Sequence, residues 1–328
     1  MGYSPTYFSG ICLIKYIMPK IKFNALKAIK KILPFIICVS VLISVPCLTA
    51  IHGREEGPTN NDPHVLTVWQ IDSFEGGRGS RAAYLQNIAD EFSAKEECFL
   101  RVSSLSSSSA RLNLANGNIP DLISYGAGIH GVEGFLRGKK PYQTWCNGGY
   151  CILTLEENAD FSDVSPDNTV VNSGTENLIG ATAVFCGLDK ADFEKPTGAY
   201  VQLINGKYKY LLGTQRDIFR LKTRGMTFSV KPVTQFNDLY QNISVTTTDS
   251  RRKNVAEKFI DYLLTKSDKL SKLGLMIGGK NLYDDEMSQM EGLSYDYKLI
   301  SPVNESTKKE LISAIANCDE NKLKILLK

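Results

Sequence analysis

Histidine, tryptophan and paired cysteine are what this sequence has least of. Its 328 residues include three histidines and two tryptophans, and His52, His64 and His130 do not fall at metal-ligand spacing. Eight cysteines are present but none forms a CxxC pair, so neither a zinc site nor a disulfide framework is expected. Only Cys146 and Cys151 lie close enough to suggest a local bridge. GxSxG, HExxH and paired Cys/His spacings are also missing, which removes the common catalytic signatures; the chain reads as a non-enzyme without metal or cofactor. The formal net charge is +3, and once the basic N-terminus is set aside the balance is near even. A nucleic-acid partner therefore has no electrostatic footprint.

Acidic residues are absent before Glu55. That stretch carries Lys20, Lys22, Lys27, Lys30 and Lys31, followed by the uncharged run ILPFIICVSVLISVPCLTAI from Ile32 to Ile51. Basic then apolar is the order of an export signal, with the basic side staying cytoplasmic. A spanning helix needs roughly 20 apolar residues, so an uncleaved anchor fits as well. Cys47, preceded by Ser44-Val45-Pro46, is a lipid-attachment candidate, although Pro46 stands where a smaller residue is expected. Cleavage near Ala50 is the third option. All three place the remainder outside the cytoplasm, and Met18 is a plausible start.

From Val65 the pattern turns regular. Val65 to Trp69 reads as a buried strand, and Ser80 opens a helix with Leu85, Ile88, Ala89 and Phe92 on one face. A strand at Phe99 to Ser103, a helix at Ala110 to Asn116 and a strand ending at Tyr125 follow. Strand, helix, strand, helix, strand is the unit of a parallel α/β sheet, whose ligands sit beyond the carboxyl ends of the strands. Tyr142 to Leu155 is read as a hairpin or a crossing between lobes, and Asn177 to Phe185 as a short helix. Asn205-Gly206 between two strand-like segments signals a hairpin. Asp249 or Ser250 caps a long helix carrying Val255, Phe259, Leu263 and Leu264, and Thr307 to Leu327 is expected to form one terminal helix.

Three constellations bear on function. Glu75-Gly76-Gly77-Arg78-Gly79-Ser80, between strand and helix, lets backbone approach a ligand, though it also suits a plain connecting loop. Trp69, Phe74, Tyr125, Trp145 and Tyr150 cluster near strand ends beside Gln70, Asp72, Arg78 and Arg81, a combination that suits sugar rings and their hydroxyls. Each of these aromatics also fits an ordinary core position. Gly213-Thr214-Gln215-Arg216-Asp217 offers either a lobe-edge ion pair or a cleft group.

Taken in order, VLTVWQIDSFEGGRGSR, NIPDLISYG, TWCNGGY, INGKYKYLLGTQRDIFR and NVAEKFIDYLLTKSDKLSKLGL resemble extracellular solute-binding proteins of ABC importers, in the maltose-binding-protein-like, sugar-type group. The likeness runs from Val65 to about Leu282. It implies two α/β lobes of the type II periplasmic-binding-protein kind, joined by hinge strands and closing over a small polar solute, a carbohydrate by family habit. Cleft-facing positions carried over are Trp69, Asp72, Glu75, Arg78, Tyr125, Trp145, Gln215, Arg216 and Tyr240. The implied partners are ABC permease subunits and the membrane, with the protein a monomer on the extracellular face.

The implied division is 1–52 signal peptide or membrane anchor and 53–64 tether. Residues 65–150 with 240–283 would form the first lobe, and 151–239 with 284–328 a reduced second lobe. The reduction is expected because most of the length deficit against the family falls between Tyr150 and Gly206. A shallow site would follow. The alternatives are a surface-held sensor that kept the fold without transport, and an exported enzyme taking a phosphorylated substrate at the glycine loop.

Overall fold

The computed structural model describes residues 65–328, apart from Glu75, Gly77, Arg78, Glu97, 139–141, Thr175 and Lys328. The export segment, Cys47 and the tether therefore lie outside the described residues, as do two of the expected cleft positions, Glu75 and Arg78. No helix among the described residues is long and apolar enough to cross a membrane.

Strand β1 (Val65–Ile71) sends Leu66 and Val68 to one face, and Ile71 to the other. Helix α1 (Arg81–Glu96) covers the first face with Tyr84, Leu85, Ile88, Ala89 and Phe92, the three-to-four spacing of a helix packed on a sheet. Helix α2 (Ser107–Ala115) covers the second with Ala110 and Leu114. Strands β2 (Phe99–Leu105) and β3 (Leu122–Gly126) flank β1 and run parallel to it. The sheet is completed by β11 (Tyr240–Val245) and β4 (Gln143–Asn147) in the order β2-β1-β3-β11-β4, with β11 antiparallel to both neighbours. Helix α6 (Ser250–Thr265), capped by the Asp249 side chain on the N–H groups of Arg251 and Arg252, returns to this lobe and packs Phe259 against Phe92 at 5.6 Å.

The second sheet repeats the plan. Strands β6 (Thr169–Asn172), β7 (Asp192–Glu194) and β8 (Tyr210–Thr214) run parallel, joined by β5 (Tyr150–Thr154) and β9 (Ser229–Pro232) in the order β7-β6-β8-β5-β9. Strand β5 is antiparallel to both neighbours, as β11 is in the first sheet. Each sheet thus takes its fourth strand from the chain arriving out of the other. The expected thinning of this half does not reach its sheet, which has five strands like the first. Its helices are α3 (Ile179–Phe185), α4 (Pro196–Ile204) and α5 (Gln215–Thr223). A two-strand pair, β10 (Phe236–Asn237) with β12 (Tyr297–Lys298), joins the hinge region to the C-terminal segment.

Three local expectations are corrected, and one open alternative is resolved. Asn205-Gly206 closes α4 instead of turning a hairpin: Gly206 takes φ +70°, and Lys207 N–H bonds back to the Gln202 carbonyl at 3.0 Å. Tyr142 to Leu155 is a crossing, since β4 pairs with β11 while β5 pairs with β8 and β9. The terminal helix splits into α7 (Glu305–Ala316) and α8 (Glu320–Leu326), because Cys318 adopts φ +50° between them. Cys146 and Cys151 are both free and buried, on strands of different sheets.

Candidate functional site

The carboxyl ends of β1 and β3 carry a buried polar cluster. Arg81, first residue of α1, donates from Nε to Asp72 Oδ1 at 2.7 Å and from a second nitrogen to the Phe74 carbonyl, with its guanidinium 4.3 Å from the Phe74 ring centre. Gln70 Nε2 reaches the same Asp72 oxygen at 2.8 Å. Gln241, entering from β11, donates to the Ile71 carbonyl and to Ser124 Oγ, each at 3.1 Å. Only glycine fits at Gly126, where a Cβ would stand 1.5 Å from Ser73 Oγ. Three buried atoms of the cluster lack a protein partner: Gln70 Oε1, Gln241 Oε1 and Arg81 Nη1. Two acceptors and a donor left open at strand ends have the chemistry to hold a polar group.

In the second lobe the matching position is closed. Asp217, in the first turn of α5, accepts from Asn172 Nδ2 at 3.0 Å, Thr214 N at 3.2 Å and Arg220 Nη1 at 3.2 Å. Burial pushes its carboxyl up, and those hydrogen bonds and Arg220 oppose the shift.

Between the lobes lie two backbone passages. Gly148 N–H donates to Leu239 O at 2.7 Å, and Asn237 Nδ2 to Gly148 O at 3.1 Å, tying one passage to the other. Gln215 clasps Gly149 with two bonds, N to Gly149 O at 3.1 Å and Oε1 from Gly149 N at 3.0 Å. A side chain at Gly148 would meet Gln215 at 2.5 Å. Asp238 accepts from Tyr150 Oη at 2.6 Å and from Leu178 N at 2.7 Å, and burial pushes its carboxyl up to about 6.

The lobes also touch across the strand ends. Glu176, beyond β6, accepts from Ser107 Oγ at the start of α2 at 2.5 Å and from Lys308 Nζ on α7 at 3.2 Å. Its carbonyl stands 3.0 Å from where a Cβ at Gly128 would sit. Burial raises the Glu176 carboxyl, but the Ser107 bond and Lys308 outweigh it and hold the group below its usual range. Nearby, Arg111 Nη1 meets His130 Nε2 at 2.7 Å; burial, Lys308 and Arg111 together lower the His130 pKa, which leaves its ring nitrogen as an acceptor.

The expected cleft residues are thus dispersed. Asp72 lies in the first-lobe cluster, and Trp69 is half-buried against the α2 side of the sheet. Tyr125 is fully buried with its hydroxyl 3.3 Å from Ser244 Oγ. Trp145 is buried, stacked on Tyr84 at 5.8 Å and donating to Ser124 Oγ at 2.9 Å. Gln215 holds the hinge, and Arg216 beside it is half-buried. Tyr240 lines a separate cavity at the sheet edge. Residues the sequence did not single out are Ser107, Glu176 and Asp238; the glycine at 128, packed against the Glu176 carbonyl, was the one local trace. Among the described residues no group of three His, Cys, Asp or Glu side chains is placed to hold a metal ion.

No protein-family model and no curated protein sequence matches the chain. Solved structures do. Iron-bound HitA from Pseudomonas aeruginosa superposes with a TM-score of 0.52 at 12% identity, covering 78% of this chain and 99% of that one. Apo FutA2 from Synechocystis PCC6803 gives 0.51 at 11% identity, covering 80% and 98%. With the repeated sheet order and the paired crossings, these likenesses establish the two-lobed α/β fold of the periplasmic binding proteins.

Proposed function

We propose that this chain is the extracytoplasmic solute-binding component of an ABC importer, taking a small polar solute between its lobes and presenting it to a membrane permease. The observation that carries the reading is the Glu176 contact: a carboxylate of one lobe seated on Ser107 of the other, across strand ends joined by the Gly148-Gly149 and Asn237–Leu239 passages. Two lobes that touch at their strand ends and flex at paired strands can trap a solute and report it as a change of shape. The role is binding, not turnover. Retention near the permease by the N-terminal segment, through Cys47 or an uncleaved helix, suits that role.

The solute class follows from what lines the strand ends. The sugar reading leaned on stacking aromatics, and Tyr125 and Trp145 are packed inside the first lobe. What stands at the ends is Asp72, the open atoms of Gln70, Gln241 and Arg81, and the Arg111–His130–Lys308 group around Glu176. That set favours a small, hydrogen-bonding solute over a large apolar one, with Arg111 and Lys308 the groups placed to meet any acidic part of it. Iron-bound HitA adds metal complexes to the solutes worth testing.

A thermal-shift screen of the protein against oxyanions, ferric complexes, amino acids and mono- and oligosaccharides tests this. A true solute at ~100 times its Kd adds about 2.7 kcal/mol of stability. Asp72→Ala should then weaken binding roughly tenfold with the fold intact. A panel with no shift overturns the transport reading; a sugar-only response restores the carbohydrate assignment.

A further inference from the structure

A cavity of about 340 Å³ opens beside β4, the outer strand of the first sheet, and it is separate from the strand-end cluster. One wall is strand and hinge: Gln143, Thr144, Asn147 and Tyr240. The other is the segment that follows α6, with Met276, Met290 and Tyr295. Asn147 and Met276 hold the walls together by two backbone bonds of 2.8 and 2.9 Å. The volume is that of a small-molecule site.

Its chemistry is one-sided. Methionine, leucine and isoleucine form an adaptable apolar body, and two tyrosine rings supply electron-rich faces. Among the described residues the lining has one charged side chain, Glu291, and no lysine or arginine. Glu291 is held in place by the N–H groups of Leu282 at 2.6 Å and Tyr283 at 3.3 Å, which leave further lone pairs on both oxygens. A carboxylate, tyrosine faces and methionines around an apolar space select a cation with a hydrophobic body and disfavour an anion.

We propose that this cavity is a second ligand site, distinct from the interlobe cleft, that takes a small amphipathic organic cation such as an arylalkylamine. It also adjoins the hinge. A Cβ at Gly149 would lie 2.8 Å from Met290 Cε and 3.2 Å from the Tyr295 hydroxyl, so an occupant that displaces these side chains acts on the backbone about which the lobes turn.

Isothermal titration of the full-length protein with phenethylammonium, phenylacetate and 2-phenylethanol decides it. The cation should bind one-to-one, at least tenfold tighter than the anion or the neutral alcohol. Gly278→Phe provides the block: Gly278 lines the cavity, and a Cβ there meets nothing within 4 Å, so the ring should fill the space and weaken binding at least tenfold. Methyl resonances of labelled Met276 and Met290 should shift with the cation in the unaltered protein, an outcome that needs no variant to fold. Absence of binding, equal affinity for all three probes, or unmoved Met276 and Met290 signals would overturn the site. None of these results depends on which solute, if any, the cleft accepts.

Discussion

In the second sheet the carboxylate at the strand ends, Asp217, is met from three directions by Asn172, Thr214 and Arg220. In the first sheet the matching ends leave Gln70 Oε1, Gln241 Oε1 and Arg81 Nη1 without a protein partner. Strand order and strand directions are the same in both sheets, so topology does not cause the difference. A buried polar network that is fully satisfied rigidifies its lobe, whereas one with open valences is destabilising unless something else completes it. On the proposed role, the strand ends of the first lobe are the place for a solute and the Asp217 position of the second is the stiffer ground facing them.

The same contrast orders the effects of substitution. The first lobe does own one closed network, at the opposite end of β3. There Asp121 accepts from Arg252 Nε at 2.7 Å and Thr67 N at 2.8 Å, with both members of the ion pair nearly buried. Asp121→Ala leaves a buried guanidinium uncompensated and should lower stability by about 3–5 kcal/mol, read as a shift in urea midpoint. Asp217→Ala should cost about 3 kcal/mol, since Arg220 keeps partial access to water while Asn172 and Thr214 N lose their acceptor. If Asp217→Ala instead proves harmless while Asp72→Ala unfolds the chain, the assignment of stiff and open lobes is reversed.

How much of this could be read in the sequence depends on distance along the chain. The β1-α1-β2-α2-β3 unit was legible because its signals are local: Leu85, Ile88, Ala89 and Phe92 declare their face within one helix. Asn205-Gly206 misled because a glycine at positive φ ends a helix as well as it turns a hairpin. Ala199, Tyr200 and Leu203, all buried on one face of α4, were the competing pattern. Asp72 was legible as a strand-end residue next to a glycine turn. Glu176 with Ser107 was not, since 69 positions separate them, nor was Asp238 with Tyr150, 88 apart. Tyr125 and Trp145 show the remaining ambiguity: an aromatic near a strand end has the same local context whether it faces a cleft or a helix, and only packing against Tyr84 and Ser244 distinguishes them.

Between the lobes, Asp238 makes the comparison sensitive to pH. Its ordinary value is 3.8 and burial raises it to about 6, so between those values the folded state holds more protons than the unfolded one. Stability then falls as pH rises through about 4 to 6, by an amount on the order of 3 kcal/mol, and levels off above. Asp238→Asn should flatten that part of the profile when urea midpoints are measured at intervals from pH 4 to 7. An undiminished slope would assign the pH response to other carboxylates and release the hinge from it.

The smallest effect is expected where the lobes meet. Glu176→Gln keeps an acceptor for Ser107 but loses the charge that pairs with Lys308, at a site open enough to water for that pairing to be weak. The closed arrangement should lose about 1 kcal/mol. On the proposed role, in which the closed form holds the solute, its Kd should rise about fivefold, with the unfolding midpoint nearly unchanged. Distance measurements between spin labels on α2 and α7 would show the population moving toward the open form. The informative result is the pairing of the two readouts: weaker binding with a shifted distance distribution marks Glu176 as a closing contact, whereas weaker binding with an unshifted distribution makes it a direct solute ligand. In that second case the second lobe contributes chemistry after all, and the division between a binding lobe and a closing lobe would have to give way.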